Sequence, residues 1–296
     1  FITDSHYFRN WILKNIKSKV CFMTLPDLNN FHLKRSIHDV HYVYIHHSLA
    51  SMHSIYREKA FNSFDTIFCC GIHHINETKK IAEFYKIKEK NTVKSNYGKL
   101  QFLINQNNKY KKKYKNDNKF NVLIAPSWGN NCIIESGKIY EIINKFLLAN
   151  CQVTLRPHPQ TIKNSIEKIN KVKKRFSLDK DFFFNDDLLD TSSLFKSDFM
   201  ISDWSGVAFE YAFSLIKPVI FIDTPMKINN KDFYKMKLSS FEYNMRNIVG
   251  EMYNKDKNYT PHNIKKILNK DINKYIFLKD EIKNSGLDFL KKFYTF

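Results

Sequence analysis

A chain of 296 residues that is 43% hydrophobic and 15% aromatic has material for two domains with cores of their own, and is too apolar to stay disordered. Its net charge of +19, from 48 Lys and Arg against 29 Asp and Glu, attracts polyanions and anionic membrane surfaces over long range. No helix-turn-helix, zinc-finger or RNA-binding signature accompanies that charge, much of which is Lys mixed with Asn and Ile, so nucleic acid is set aside as the partner.

The chain opens at Phe1-Ile2-Thr3, a strand-like run with no initiator Met and no signal-peptide pattern, and reads as a fragment of a longer polypeptide. No apolar run reaches the length of a spanning helix. Asp4-Ser5 predicts an N-cap for a helix over Tyr7 to Ile16. Val20 to Leu25 predicts a strand ended by Pro26, and Leu28 to Ile37 fits no single element. Val40 to Ile45 and Thr66 to Cys70 predict further strands, and a helix is expected from about Asn76 to Phe84. Such alternation gives a small Rossmann-like half. His46-His47-Ser48 falls where a strand ends. Adjacent strand residues point to opposite faces, so only one of the two histidines can reach a ligand there. In a chain with 11 histidines a structural role for both is a serious alternative, and His53, His73 and His74 match no chemistry. Lys109 to Lys119, rich in Lys and Asn without apolar period, predicts an exposed linker with at most a secondary contact to anionic lipid.

The second half repeats the alternation. Val122 to Ala125 predicts a strand, followed by the turn Pro126-Ser127-Trp128-Gly129. Gly137 to Ala149 predicts a helix, and Cys151 to Leu155 a strand that runs into Arg156-Pro157-His158-Pro159. A basic helix over Ile162 to Val172 and a strand over Phe182 to Phe184 follow; Asp186-Asp187 reads as the acidic start of a helix rather than a metal site. Phe199 to Ile201 (strand), Ser202-Asp203-Trp204-Ser205-Gly206 (turn), Val207 to Leu215 (helix) and Val219 to Ile222 (strand) form a βαβ unit. Met226 to Tyr243 lacks a period, Arg246 to Gly250 reads as a segment returning to the site, and Thr260-Pro261 starts a Lys-rich helical region to Phe296 that reads as packing rather than membrane contact. The five cysteines show no metal-like spacing and argue for a reducing compartment: Cys69-Cys70 are adjacent, and Cys21, Cys132 and Cys151 stand alone.

Two of these stretches carry chemistry. In an open parallel sheet ligands bind at the C-terminal ends of strands, and a helix N-terminus there offers unpaired N–H groups and a positive dipole end to phosphate; Ser202 and Ser205 add hydroxyls. By itself such a corner is common in α/β proteins. Arg156 and His158, held by two prolines at another strand end, pair a phosphate-gripping fork with a group that moves protons near neutrality. A proline-stiffened turn with a hydrogen-bonded histidine is the bland alternative.

In order, Ala125 to Trp128 (APSW), Arg156 to Pro159 (RPHP) and Ser202 to Phe221 (SDWSGVAFEYAFSLIKPVIF) resemble the CDP-glycerol glycerophosphotransferase family, which makes teichoic acids and related polyol-phosphate polymers. The likeness is strongest from about Val122 to Pro225. It implies an α/β fold of two Rossmann-like domains facing a cleft, the GT-B architecture: residues 1–108 on the acceptor side, a linker over 109–119, a donor domain over 120–255, and a C-terminal helical segment over 256–296. It implies that Ser127 and Trp128 border the donor phosphates, that Ser202, Asp203, Ser205 and Gly206 hold the pyrophosphate, and that Glu210 meets a ribose hydroxyl. Related enzymes often carry an arginine beyond the aromatic residue where this chain has Gly129-Asn130-Asn131, which leaves the donor's tail group open. The family histidine matches His47 best, with Ser48 where glycine is usual.

The implied reaction is attack of an acceptor hydroxyl on the β-phosphorus of CDP-glycerol or a related donor, with CMP leaving. His47 or His158 is the base; His47 is assigned to it, and the other stabilises phosphoryl charge with Arg156. No cofactor and no metal is expected. The implied acceptor is a polymer or glycolipid, and the protein would work in the cytoplasm, peripherally on the inner face of a bacterial membrane. Two other readings stay open: a GT-B transferase using a CMP-sugar of the sialic acid or Kdo type, and a non-catalytic basic protein that binds polyanions.

Overall fold

The computed structural model describes residues 5–110, 119–187 and 189–269. The strand expected at Phe1 to Thr3, most of the expected linker and the helical region beyond Asn269 lie outside the described residues. The chain divides into two compact units. Among the described residues, one runs to Tyr97 and takes in Lys227–Phe241, and the other comprises Gly98–Met226 and Glu242 to Asn269.

The first unit contains α1 (His6–Lys14), β1 (Val20–Met23), β2 (His41–Ile45), α2 (Met52–Ile55), β3 (Thr66–Cys69), α3 (Ile72–Tyr85) and β4 (Asn91–Lys94). Ser5 caps α1, its hydroxyl accepting from Phe8 N at 3.3 Å. The four strands form a parallel sheet in the order β1-β2-β3-β4. All four residues of β3 are buried, as its unbroken apolar run requires of a strand covered on both faces. The stretch Leu28 to Ile37 forms neither helix nor strand. It is pinned instead by Leu28, fully buried in the core, and by Arg35, whose guanidinium grips both oxygens of Asp65 at 3.2 and 3.0 Å.

Four histidines belong to this unit's interior. His46 is 3% exposed and stacks on His74 with ring centroids 3.6 Å apart. His74 accepts from Cys70 N and donates to Ala50 O, His73 faces Leu49 O, and His53 faces Leu238 O and the carboxylate of Glu77. Burial, and then the neighbouring imidazoles, hold His46 and His74 well below the ordinary histidine value; burial also lowers His73, against the pull of Glu77. A base whose folded value is depressed binds fewer protons folded than unfolded. Its stabilising contribution is therefore complete above the unfolded value of 6.5 and is lost as pH falls through the folded value.

The second unit contains α4 (Gly98–Tyr110), β5 (Asn121–Ile124), α5 (Ile139–Leu148), β6 (Gln152–Leu155), α6 (Pro159–Asn164), α7 (Ile166–Phe176), β7 (Phe182–Phe184), α8 (Ser192–Lys196), β8 (Phe199–Ser202), α9 (Gly206–Leu215) and β9 (Val219–Phe221). After a 3-10 turn at Phe233–Met236 in the first unit come α10 (Phe241–Val249), β10 (Gly250–Met252) and α11 (Pro261–Leu268). Six parallel strands run in the order β10-β9-β8-β5-β6-β7. The apolar faces of α5, α7 and α11 share one core with β5, β6, β8 and β9. Helix α9 is buried from Ala208 to Leu215 and packs on β8 and α4. Helix α4 lies N-terminal to the expected linker, yet it belongs to this unit because Leu103 is buried and α4 covers α9. The basic helix expected over Ile162 to Val172 is two helices, broken at Ser165. Asp186 and Asp187 do not start a helix: Asp186 pairs with Lys173 at 3.2 Å, Asp187 closes a turn to Leu189 N, and α8 begins at Ser192.

All five cysteines are free. Among the described residues no helix is long and apolar enough to cross a membrane.

Two outcomes follow from this packing. The urea midpoint should be level above pH 7 and fall as pH drops from 6.5 to 5; a midpoint unchanged over that range would remove the histidine cluster from the stability balance. At Gly250 an added Cβ would sit 1.8 Å from the Val219 carbonyl oxygen of the paired strand. Gly250→Ala should lower stability by roughly 1–3 kcal/mol, read as a drop in thermal midpoint.

Candidate functional site

Strands β5 and β8 are neighbours, and the sheet order runs outward from them in both directions. The loops leaving their C-terminal ends therefore part company and open a crevice, the place where open α/β sheets take ligands. Ser202, the last residue of β8, donates its hydroxyl to Ala125 O at 2.7 Å and closes the floor of that crevice. Asp203 is fully buried. Its Oδ1 accepts from Ser127 N and Trp204 N, each at 2.7 Å, and its Oδ2 accepts from Ile133 N at 3.2 Å. One carboxylate thus fixes the β5 loop, the β8 loop and the segment ahead of α5.

Above this floor stands the entrance to α9. Ser205 is the N-cap residue, extended at φ −78° and ψ 133°, and its side chain makes no cap bond to the helix. Ser205 is 6% exposed and Gly206 is half-buried. The first turn of α9 has no acidic residue. Its N–H groups and positive dipole end are thus left without a side-chain anion of their own. Glu210, one turn on, is buried at 3% exposure with Oε2 2.6 Å from Lys99 Nζ of α4. A ribose hydroxyl at Glu210 would have to share that ion pair.

The RPHP stretch forms the end of β6 and the start of α6. His158 is the N-cap, Pro159 the first helical residue, and His158 Nδ1 accepts from Gln160 N at 3.1 Å. An amide N–H facing Nδ1 places the proton of the neutral ring on Nε2. The His158 ring lies 6.1 Å from that of Trp128, which follows Ser127 in the β5 loop. The RPHP and SDWSG loops are thereby joined through the APSW turn. Arg156 is half-buried and its Nη1 contacts the Asp190 carbonyl oxygen and Ser193 Oγ, so the guanidinium is turned toward the approach to α8.

In the first unit His47 is exposed and His46 buried, as alternation along the end of β2 dictates. His47 Nδ1 faces Thr24 O at 3.0 Å, and Nε2 lies 3.4 Å from the Tyr56 hydroxyl. A carbonyl facing Nδ1 fixes the opposite tautomer to that of His158: Nε2 of His47 presents a lone pair.

The structure adds two residues to the crevice. The Trp204 indole donates to Thr224 O at 2.8 Å, and Arg246 of α10 lies over the Trp204 ring at 4.0 Å. In the sequence, Arg246 was marked only as part of a returning segment and Thr224 had no signal. Among the described residues no group of three His, Cys, Asp or Glu side chains is arranged to hold a metal ion.

Residues 72–274, more than half of the chain, match the family model described as CDP-glycerol:poly(glycerophosphate) glycerophosphotransferase. No curated protein sequence matches. Among solved structures the chain is similar to a variant of the wall teichoic acid polymerase TagF, at 14% identity and a TM-score of 0.54, over 93% of this chain and 72% of that one. It is similar also to the UDP-GlcNAc 2-epimerase of Methanocaldococcus jannaschii, at 13% identity and a TM-score of 0.53, over 86% of this chain and 69% of that one. At these identities the likeness shows the fold: α/β with parallel sheets in two Rossmann-like units, the GT-B class. The motifs around the β5/β8 crevice lie inside the span of the family match, and the chain belongs to the CDP-glycerol:poly(glycerophosphate) glycerophosphotransferase family.

Proposed function

We propose that the protein transfers a glycerol-phosphate, or another polyol-phosphate, from a CDP-linked donor to an acceptor hydroxyl of a cell-surface polymer and releases CMP. The observation that carries this reading is the β5/β8 crevice, where Asp203 fixes both loops beside the uncapped entrance of α9. The acceptor oxygen bonds to the β-phosphorus as its proton passes to His47 Nε2. The bond from that phosphorus to the bridging oxygen breaks, and the electron pair leaves on CMP. The Nε2–H of His158 and the entrance of α9 at Ser205 and Gly206 suit the growing negative charge on the diphosphate. Ser127 and Trp128 border the same phosphates, Asp203 and Ser202 hold the loops that present them, and Arg156 fixes the far side of the RPHP loop.

His47 is assigned as the base because its Nε2 lone pair meets, among the described residues, only the Tyr56 hydroxyl, at 3.4 Å, which a substrate hydroxyl can replace, and His158 as the hydrogen-bond donor because its lone pair is held by the backbone N–H of Gln160. The surplus of 19 positive charges supports docking on the anionic inner face of a membrane, where a polymer or glycolipid acceptor would be presented.

Incubation with CDP-glycerol, CDP-ribitol and CMP-sugars should yield CMP from a CDP-polyol and none from the sugars. His47→Ala and His158→Ala should each lower turnover by roughly 10²-fold or more. Normal turnover in both variants would sink this assignment.

A further inference from the structure

Arg246 is only 5% exposed, and among the described residues its one hydrogen-bond partner is a carbonyl: Nη2 donates to Ile222 O at 2.7 Å. Its Nε is buried without a partner among the described residues. The guanidinium carbon lies 4.0 Å over the Trp204 ring and 5.1 Å from that of Phe221. Asp203 and Asp223 are the acids close enough to act on it, yet among the described residues neither forms an ion pair with it. The oxygens of Asp203 already take three backbone N–H groups. A buried cation that meets, among the described residues, a carbonyl and two aromatic rings is costly unless an anion completes it. Thr224, whose carbonyl takes the Trp204 indole N–H, is 4% exposed, and among the described residues its Oγ1 is buried without a partner. The Arg246 side chain and the Thr224 carbonyl both meet Trp204, the residue between the Asp203 hub and the Ser205 cap of α9.

A stack on tryptophan leaves the edge of a guanidinium for a second partner, because cation–π attraction uses only its face. The anion that fits has several oxygens, reaches the N–H groups at the entrance of α9, and can accept from both Arg246 and a threonine hydroxyl. A diphosphate meets those requirements, and a single carboxylate does not span them. The structure assigns Arg246 and Thr224 as ligands of the donor's diphosphate, opposite the His158 side of the crevice. This rests on the reading of that crevice as the donor site.

The test is equilibrium binding of CDP-glycerol, CDP and cytidine, with inorganic pyrophosphate as the minimal probe, to the whole chain and its variants. Arg246→Met keeps the stem over Trp204 and removes the charge. It should weaken CDP and pyrophosphate at least about 10-fold, while cytidine affinity stays the same. Arg246→Lys should recover part of the loss. Should Arg246→Met fail to fold, Thr224→Val keeps the shape at that position and should weaken the same two ligands about 3-fold or more at an unchanged thermal midpoint. In the wild type, pyrophosphate should raise the thermal midpoint, and in Arg246→Lys by less. Equal CDP and pyrophosphate affinity in the wild type and in every folded variant overturns the assignment while leaving the donor site in place. A wild-type protein that binds neither CDP-glycerol nor CDP overturns the donor site itself.

Discussion

A carboxylate with no exposure to solvent organises the crevice between the β5 and β8 loops. Asp203 accepts N–H groups from the β5 loop, from its own loop and from the segment leading into α5. Buried carboxylates are tolerated where hydrogen bonds replace water, and backbone donors are the partners that cannot swing away. The result is a preorganised floor between two diverging loops. The α9 entrance, the Trp128 and His158 rings and the Arg246 stack are all placed relative to it. A transferase of this family depends on such rigidity, because displacing a phosphoryl group requires little beyond positioning and charge.

The two histidines on which the chemistry is proposed differ in one respect that residue type does not reveal. His158 caps a helix and spends Nδ1 on an amide, whereas His47 spends Nδ1 on a carbonyl. The same side chain is thus delivered as a donor in one unit and as an acceptor in the other. The Pro-His-Pro sequence has a concrete purpose here: Pro159 occupies the first helical position, where its missing N–H is harmless, and the extended residue before it is the natural cap. Elsewhere in the first unit, imidazoles serve as neutral packing groups. His46 lies face to face with His74, which makes that core sensitive to acid without giving it a part in transfer.

Much of the site was legible because its pieces are local. Ser205 at a helix entrance, His158 between prolines and the turn after β5 announce themselves by spacing, and the order of the three motifs carries the family. The fates of individual side chains within those motifs were not legible. Ser202 reads as a phosphate donor but closes a contact with Ala125, 77 residues away, and Glu210 reads as a ligand but sits in an ion pair with Lys99. Arg156 reads as a phosphate fork, yet its guanidinium reaches toward the segment before α8. Acids at Asp186 and Asp187 look like a helix start because the sequence cannot tell a capping turn from an Asx turn.

What the sequence determined alone was the alternation of short apolar runs with Ser, Gly and Pro turns, since periodicity and backbone sterics act over a few residues. From that come the parallel sheets, the loops at their C-terminal ends and the chemistry those loops can carry. Only the tertiary structure decided which unit α4 joins, how Asp203 is satisfied and that Arg246 is buried against Trp204. Each of these depends on atoms tens of residues apart meeting in a low-dielectric interior. There the energy of a polar group is set by its partners, and no local pattern records who they are.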